Sequence, residues 1–142
     1  MTIARILANR DRPVISCTPK HSVLDVARML AEHRIGAMPV VDNGAVCGIF
    51  SERDLSYCVA RDGDAALYRA IGEVMTTPPI TVTPDTTVLV ALSLMTRRRI
   101  RHLPVVESGQ MLGFISIGDL VAHRIALIEG EAQAMREYIH SA

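Results

Sequence analysis

The same succession of apolar and polar patterns occurs twice along the chain. Residues 14–17 and 80–83 are short, β-prone segments, and each is stopped by a proline, Pro19 or Pro84. After each segment, apolar residues recur at helical spacing, over residues 23–31 and from residue 88 to about residue 98. At the start of the first helical segment, Ser22 and Asp25 have the spacing of a capping box. We therefore expect a strand followed by an amphipathic helix in both halves.

Each half then contains two short apolar segments separated by a turn. The segments are residues 38–41 and 46–50 in the first half, and residues 103–106 and 111–115 in the second. The separating pairs, Asn43-Gly44 and Ser108-Gly109, indicate an antiparallel hairpin because these residues readily adopt positive φ. A second helix is expected after each hairpin, beginning at Ser51 and at Ser116 or Ile117.

The two halves match each other at a constant offset of 65 positions, without a gap. The aligned pairs include Pro19 with Pro84, Arg34-Ile35 with Arg99-Ile100, Pro39-Val40-Val41 with Pro104-Val105-Val106, Gly48 with Gly113, Ser51 with Ser116, and Asp54-Leu55 with Asp119-Leu120. Two copies are too few for a solenoid, which needs at least three repeats to bury its faces. The predicted fold class is therefore α/β, of the α+β type: two strand-helix-strand-strand-helix repeats packed as a pseudo-twofold pair.

The predicted boundaries place repeat 1 at residues 1–60, a polar linker at 61–74, repeat 2 at 75–124 and a C-terminal helix extension at 125–142. The linker is expected to contain a short helical piece at residues 65–71. In the extension, apolar residues recur at steps of four and three and form a seam on one long helix, which Gly130 interrupts: Val121, Ile125, Ile128, Ala132, Met135 and Ile139. A helix beyond the folded repeat has little intramolecular surface left to cover, which favours a homodimer interface over packing on the protein's own core.

Composition narrows the classes of partner. Fifteen basic and fifteen acidic side chains cancel and aromatic residues are scarce, so neither duplex nor single-stranded nucleic acid is an expected partner. Cys17, Cys47 and Cys58 form no C-x-x-C pair, and we expect ordinary buried thiols rather than a metal site. The chain has no long apolar run and its N-terminus carries Arg5 and Arg10, so we expect a soluble cytoplasmic protein that does not enter a membrane.

The candidate chemistry lies in two repeated pairs, Ser51 with Asp54 and Ser116 with Asp119. Each pair is spaced by three residues where a strand enters a helix, so each fits a helix cap. The same groups can also bind a ligand, because amides and a hydroxyl at a helix start hold phosphate or sugar oxygens, and a carboxylate accepts hydrogen bonds from a ribose diol. Capping and binding can coexist.

The repeat unit, with P-V-V in the hairpin and G-h-x-S-x-x-D after it, resembles the CBS domain, named after cystathionine β-synthase. The resemblance covers nearly the whole chain and is that of a small stand-alone CBS pair. It implies a cleft between the two units with two related sites for AMP, ADP, ATP, NAD or S-adenosylmethionine, in which each Ser–Asp pair contacts ribose and phosphate. The resemblance implies a main site formed by Pro13, Val14, Gly36, Ala37, Ile49, Ser51, Arg53, Asp54, Arg101 and His102. It implies a second site formed by Pro79, Ile80, Ser116 and Asp119.

The two copies differ in charge at one position of the repeat. The first has Gly36-Ala37 where the second has Arg101-His102. In the family, basic residues at this position reach a phosphate in the site built on the other repeat. We therefore expect the phosphate in the Ser51 site and a weaker or empty second site. Arg97–Arg99 are instead expected to be a solvated, cation-favouring helix C-terminus.

No catalytic or metal site is predicted. His102 has no neighbouring nucleophile in a motif, and the other histidines share no metal-ligand spacing. The sequence therefore predicts a regulatory module that binds an adenine nucleotide and signals to a protein partner. It predicts no catalytic cofactor and does not identify the partner. The alternatives are a sensor of NAD(H) and a structural dimerisation module that binds no ligand.

Overall fold

Two antiparallel hairpins organise the molecule, one in each half of the chain. The computed structural model describes residues 1–141. Its strands are β1 (Ala37–Asp42), β2 (Ala45–Ser51), β3 (His102–Glu107) and β4 (Gln110–Ser116), with β1 paired to β2 and β3 to β4. The turn residues Asn43, Gly44, Ser108 and Gly109 all have positive φ, as predicted. The two predicted hairpins are confirmed.

Helices surround these hairpins. They are α1 (Ile3–Ala8), α2 (Val23–His33), α3 (Glu52–Asp62), α4 (Ile71–Val74), α5 (Val88–Arg98) and α6 (Ile117–Ser141), with a 3₁₀ helix at Gly63–Tyr68. The capping box predicted at α2 is present, because Ser22 Oγ accepts from the Asp25 amide at 3.0 Å. The α+β class and the helix after each hairpin are confirmed, and α6 continues through Gly130 without a break.

The first predicted strand of each repeat is reduced to a single-residue bridge. Cys17 pairs in parallel with Val40, and Val82 pairs in the same way with Val105. The Cys17 amide donates to the Pro39 carbonyl at 3.1 Å, and the Val82 amide donates to the Pro104 carbonyl at 3.0 Å. These bridges lie at the 65-residue offset, so the repeat seen in the sequence is also a repeat of backbone hydrogen bonds.

The chain crosses between the two repeats before each bridge. Ile3 and Ile6 of α1 are buried in the core of the second repeat, where the Ile3 amide donates to the Thr86 carbonyl at 2.9 Å. Conversely, Ala66 and Ile71 are buried in the core of the first repeat. The stretch 61–74, predicted to be a linker, therefore completes the first core, and the N-terminal helix completes the second.

Helix α6 extends past the core of the second repeat. Leu120 is fully buried, whereas the seam residues Ile125, Ile128, Met135 and Ile139 are 50 to 62% exposed. The predicted seam therefore does not pack on the protein's own core within residues 1–141.

Candidate functional site

The two Ser–Asp pairs occupy the N-termini of α3 and α6. The Ser51 amide donates to Asp54 Oδ2 at 2.9 Å, and the Asp54 amide donates to Ser51 Oγ at 3.2 Å. The corresponding distances for Ser116 and Asp119 are 2.8 and 3.1 Å. Both pairs thus form reciprocal caps, which fixes each carboxylate at the point where its strand enters its helix.

Ser51 and Asp54 line a cavity of about 410 Å³ between the repeats, which we call the Ser51 cavity. The volume lies in the range of small-molecule binding sites. Eight of the residues predicted for the main site meet here: Gly36, Ala37, Ile49, Ser51, Arg53, Asp54, Arg101 and His102. The second repeat also contributes Pro79 and Ile80, and Thr76 lies at the cavity wall. The structure therefore brings together the groups that the sequence placed on opposite repeats.

Ser116 and Asp119 line a second cavity of about 600 Å³, the Ser116 cavity. Pro13 and Val14 lie in its wall, together with Phe114. Gly36, Ala37 and His102 line both cavities. The two cavities are therefore neighbours with a shared wall, and the Ser116 cavity is the larger.

The structure groups the two proline segments with the Ser–Asp pairs differently from the prediction. Pro13 and Val14 lie with Ser116, and Pro79 and Ile80 lie with Ser51. The cause is the crossing of the chain: Cys17 pairs with Val40, so the residues before it run back past the start of β1 towards the other repeat. Each leading segment consequently lines the cavity built on the opposite Ser–Asp pair.

Positive charge is present in both cavities, although only the second copy of the repeat has the Arg-His pair from which the phosphate was placed in the Ser51 site. Arg10, Arg12 and Arg34 line the Ser116 cavity, where Asp119 is the only carboxylate among the lining residues. The Ser51 cavity has three arginines and two carboxylates, which are Arg53, Arg99, Arg101, Glu52 and Asp54. The comparison of Gly36-Ala37 with Arg101-His102 missed Arg10 and Arg12 because these two residues come from the crossing segment.

The two carboxylates differ in their third partner. The Thr76 hydroxyl donates to Asp54 Oδ1 at 3.0 Å. At the equivalent carboxylate, Arg10 Nη2 lies 3.0 Å from Asp119 Oδ2, and Arg10 Nη1 donates to the Phe114 carbonyl. A neutral hydroxyl thus contacts one carboxylate and a guanidinium contacts the other.

His102 forms part of the wall between the cavities. Its ring stacks on Phe114 with a centroid separation of 5.5 Å and an interplanar angle of 12°. Burial lowers the pKa of His102 below its ordinary value; Asp119 and Glu52 oppose this effect and Arg101 adds to it. Arg53 also bridges the repeats, since its Nη1 donates to the Arg99 carbonyl at 3.0 Å.

Sequence reasoning missed several lining residues, chiefly Thr76, Arg10, Arg12 and Phe114. Phe114 lies inside the G-h-x-S-x-x-D segment and could have been taken from the motif itself. Thr76, Arg10 and Arg12 precede the first aligned pairs of the repeat, and the crossing of the chain brings them to the cavities.

The three cysteines are the remaining candidate groups in the sequence. Cys17, Cys47 and Cys58 are free thiols; the first and last are buried as expected, whereas Cys47 is half-buried. Burial is the main cause that raises the pKa of Cys17 to about 11. Residues 1–141 contain no cluster of His, Cys, Asp and Glu suited to a metal ion. Within the same residues, no helix has the length and apolar character needed to cross a bilayer.

The fold and the paired cavities define a class of protein in which two helix-and-hairpin repeats enclose two related sites. The sequence profile of the CBS domain matches residues 6–61 and 71–125. The chain therefore belongs to the CBS-domain family and contains a tandem pair of these domains.

Individual relatives agree with this assignment. A mitochondrial CBS domain-containing protein of Arabidopsis thaliana is 38% identical to this chain over 128 residues. The match covers 87% of this chain and 62% of the length of that protein. The crystal structure of a CBS-domain protein from Agrobacterium tumefaciens is 38% identical, with a TM-score of 0.83 over 87% of this chain and 99% of that one. A CBS protein from Pyrobaculum aerophilum, solved in complex with AMP, is 30% identical, with a TM-score of 0.78 over 91% of this chain and 97% of that one.

Proposed function

We propose that this protein is a regulatory module that binds an adenine nucleotide between its two CBS domains and does not itself catalyse a reaction. The observation that carries the proposal is the Ser51 cavity, whose lining combines the carboxylate of Asp54 with Arg99 and Arg101 from the other repeat. The AMP complex of the Pyrobaculum aerophilum relative supports a ligand of the AMP, ADP or ATP class.

Each part of the ligand has suitable chemistry in the Ser51 cavity. Asp54 can accept hydrogen bonds from the ribose hydroxyls in place of the one it receives from Thr76. The apolar residues Ile49, Pro79 and Ile80 line a surface for the base. Arg53, Arg99 and Arg101 can bind phosphate oxygens through charge-assisted hydrogen bonds.

A bound nucleotide can act as a signal only if two conformations of the protein bind it with different affinity. Gly36, Ala37, Arg101 and His102 lie on the shared boundary of the two repeats, so a ligand there contacts both repeats at once. We propose that closure of the repeats on the nucleotide is the change that a protein partner reads.

Calorimetric titration with AMP, ADP, ATP, NAD and S-adenosylmethionine tests the ligand class. The proposal predicts binding of at least one of the first three, accompanied by a rise in Tm. A response to NAD alone would favour the NAD(H) sensor instead. The absence of heat and thermal shift with all five compounds would rule out nucleotide sensing and leave a dimerisation module.

We also propose that the protein is a homodimer that buries the seam of α6. Exposed apolar side chains repeat along one side of this helix from Val121 to Ile139, beyond the end of the second core. Contiguous exposed apolar surface of this kind is typical of association sites. The cytoplasmic location expected from the sequence stays a prediction.

A further inference from the structure

Arg10 is bound to the carboxylate that a ligand in the Ser116 cavity would need. Its Nη2 lies 3.0 Å from Asp119 Oδ2, the oxygen that also accepts from the Ser116 amide at 2.8 Å. Arg10 Nη1 donates to the Phe114 carbonyl, which holds the guanidinium at this end of the cavity. The side chains of Arg10 and Asp119 are 32 and 29% exposed, so the pair lies at the cavity wall within reach of a ligand.

The equivalent carboxylate in the Ser51 cavity has a much weaker competitor. The Thr76 hydroxyl donates to Asp54 Oδ1 at 3.0 Å, and a ribose hydroxyl can replace it by a hydrogen bond of the same kind. At Asp119, a ribose hydroxyl must replace a charge-assisted bond from a guanidinium, which is stronger than a neutral one. Displacement also leaves the Arg10 cation without its carboxylate in a cavity that Arg12 and Arg34 already make positive.

We infer that Arg10 makes ligand binding in the Ser116 cavity conditional on a phosphate group. A phosphorylated nucleoside brings its own anion, so Arg10 can move from Asp119 to the phosphate while the ribose takes its place on the carboxylate. An unphosphorylated nucleoside offers no such exchange. The Ser51 cavity accepts both, because Thr76 leaves no charge behind. Arg10 is thus a specificity-determining residue, and this inference rests on the proposed function.

Two backbone amides report on the two cavities separately. The Ser51 amide donates to Asp54 and the Ser116 amide to Asp119, so their NMR resonances respond to events at each carboxylate. We expect the preference for AMP over adenosine, measured as the ratio of titration midpoints, to be roughly tenfold greater at the Ser116 amide than at the Ser51 amide. This wild-type comparison needs no substitution, so it holds even if a variant does not fold.

Arg10→Met and Arg12→Met separate the exchange from a simple loss of positive charge. Both substitutions remove an arginine from the Ser116 cavity, but only the first frees Asp119. At the Ser116 amide, we expect Arg10→Met to strengthen adenosine binding about threefold to tenfold and to weaken AMP binding. Arg12→Met should weaken AMP binding and should not strengthen adenosine binding.

The outcomes distinguish this inference from the proposed function. If both amides respond to AMP and Arg10→Met leaves the adenosine midpoint at Ser116 unchanged, the role of Arg10 is wrong and nucleotide binding stands. An equal preference for AMP at both amides in the wild type, or no response at Ser116, also overturns it. If neither amide responds to AMP or to adenosine, the proposed function fails and this inference fails with it.

Discussion

Gly48 and Gly113 are the first residues of the two G-h-x-S-x-x-D segments, and each gives room to the segment that crosses from the other repeat. A Cβ on Gly48 would lie 2.5 Å from Met75 Sδ and 3.0 Å from the Thr76 carbonyl oxygen. A Cβ on Gly113 would lie 2.6 Å from Leu7 Cδ2. Met75 and Leu7 have flexible side chains, but the Thr76 carbonyl cannot move without its residue, which contacts Asp54.

We therefore expect Gly48→Ala to lower the free energy of unfolding by about 1–3 kcal/mol and to weaken nucleotide binding in the Ser51 cavity. Urea denaturation and calorimetry measure the two effects. Gly130→Ala is the matched control, because a Cβ there meets nothing within 4 Å and alanine favours a helix by roughly 1 kcal/mol. A Gly48→Ala protein as stable as the wild type would contradict the close approach of the crossing segment.

His102 should make stability depend on pH. Burial lowers its folded pKa below 6.5, so as pH falls the unfolded chain binds this proton before the folded protein does. The contribution of His102 to the free energy of unfolding is therefore complete above pH 6.5 and is lost as pH falls towards the folded pKa. Urea denaturation between about pH 7.5 and 5 should show a smaller decline for His102→Gln than for the wild type. An unchanged slope in His102→Gln, or an equal effect of the control His140→Gln at the exposed end of α6, would contradict this account.

At the scale of elements, the sequence predicted those helices and turns that are determined by interactions between residues close together in the chain. The bounds of α5, the turns of both hairpins and the capping box at Ser22 follow from hydrophobic spacing, positive-φ residues and a short-range hydrogen bond. The position of α1 could not be predicted in this way. Ile3 and Ile6 show that one face of α1 is apolar, but the same face could pack against either repeat. The exchange of proline segments between the cavities has the same origin.

The exposed seam of helix α6 leads to a prediction about the oligomeric state. Ile128 lies in the middle of the exposed seam, and a glutamate there would place a charge in a buried dimer interface. We expect sedimentation velocity to show a dimer for the wild type and a monomer for Ile128→Glu. Ala126→Glu is the control, because it adds the same charge to an exposed position on another face of the helix. A monomeric wild type, or equal effects of the two variants, would contradict the proposed dimer.

At the scale of the whole molecule, the crossing segments join the two repeats into one binding unit. Thr76 at one carboxylate and Arg10 at the other come from these segments, and His102 lies in the wall of both cavities. Each cavity therefore contains groups from both repeats, so neither repeat alone holds a complete site. Under the proposed function, a ligand in either cavity would contact both repeats at once.

The most direct test of nucleotide binding compares two capping boxes in the same chain. Asp54 and Asp25 make the same reciprocal cap with Ser51 and Ser22, but of the two only Asp54 lines the Ser51 cavity. Asp54→Ala and Asp25→Ala should each lower the free energy of unfolding by about 0.5–2 kcal/mol, as the loss of a helix cap does. In calorimetric titrations with AMP, we expect Asp54→Ala to weaken the strongest binding event about tenfold or more and Asp25→Ala to leave it unchanged. Equal AMP binding by the two variants would show that Asp54 is only a cap and would contradict the proposed site.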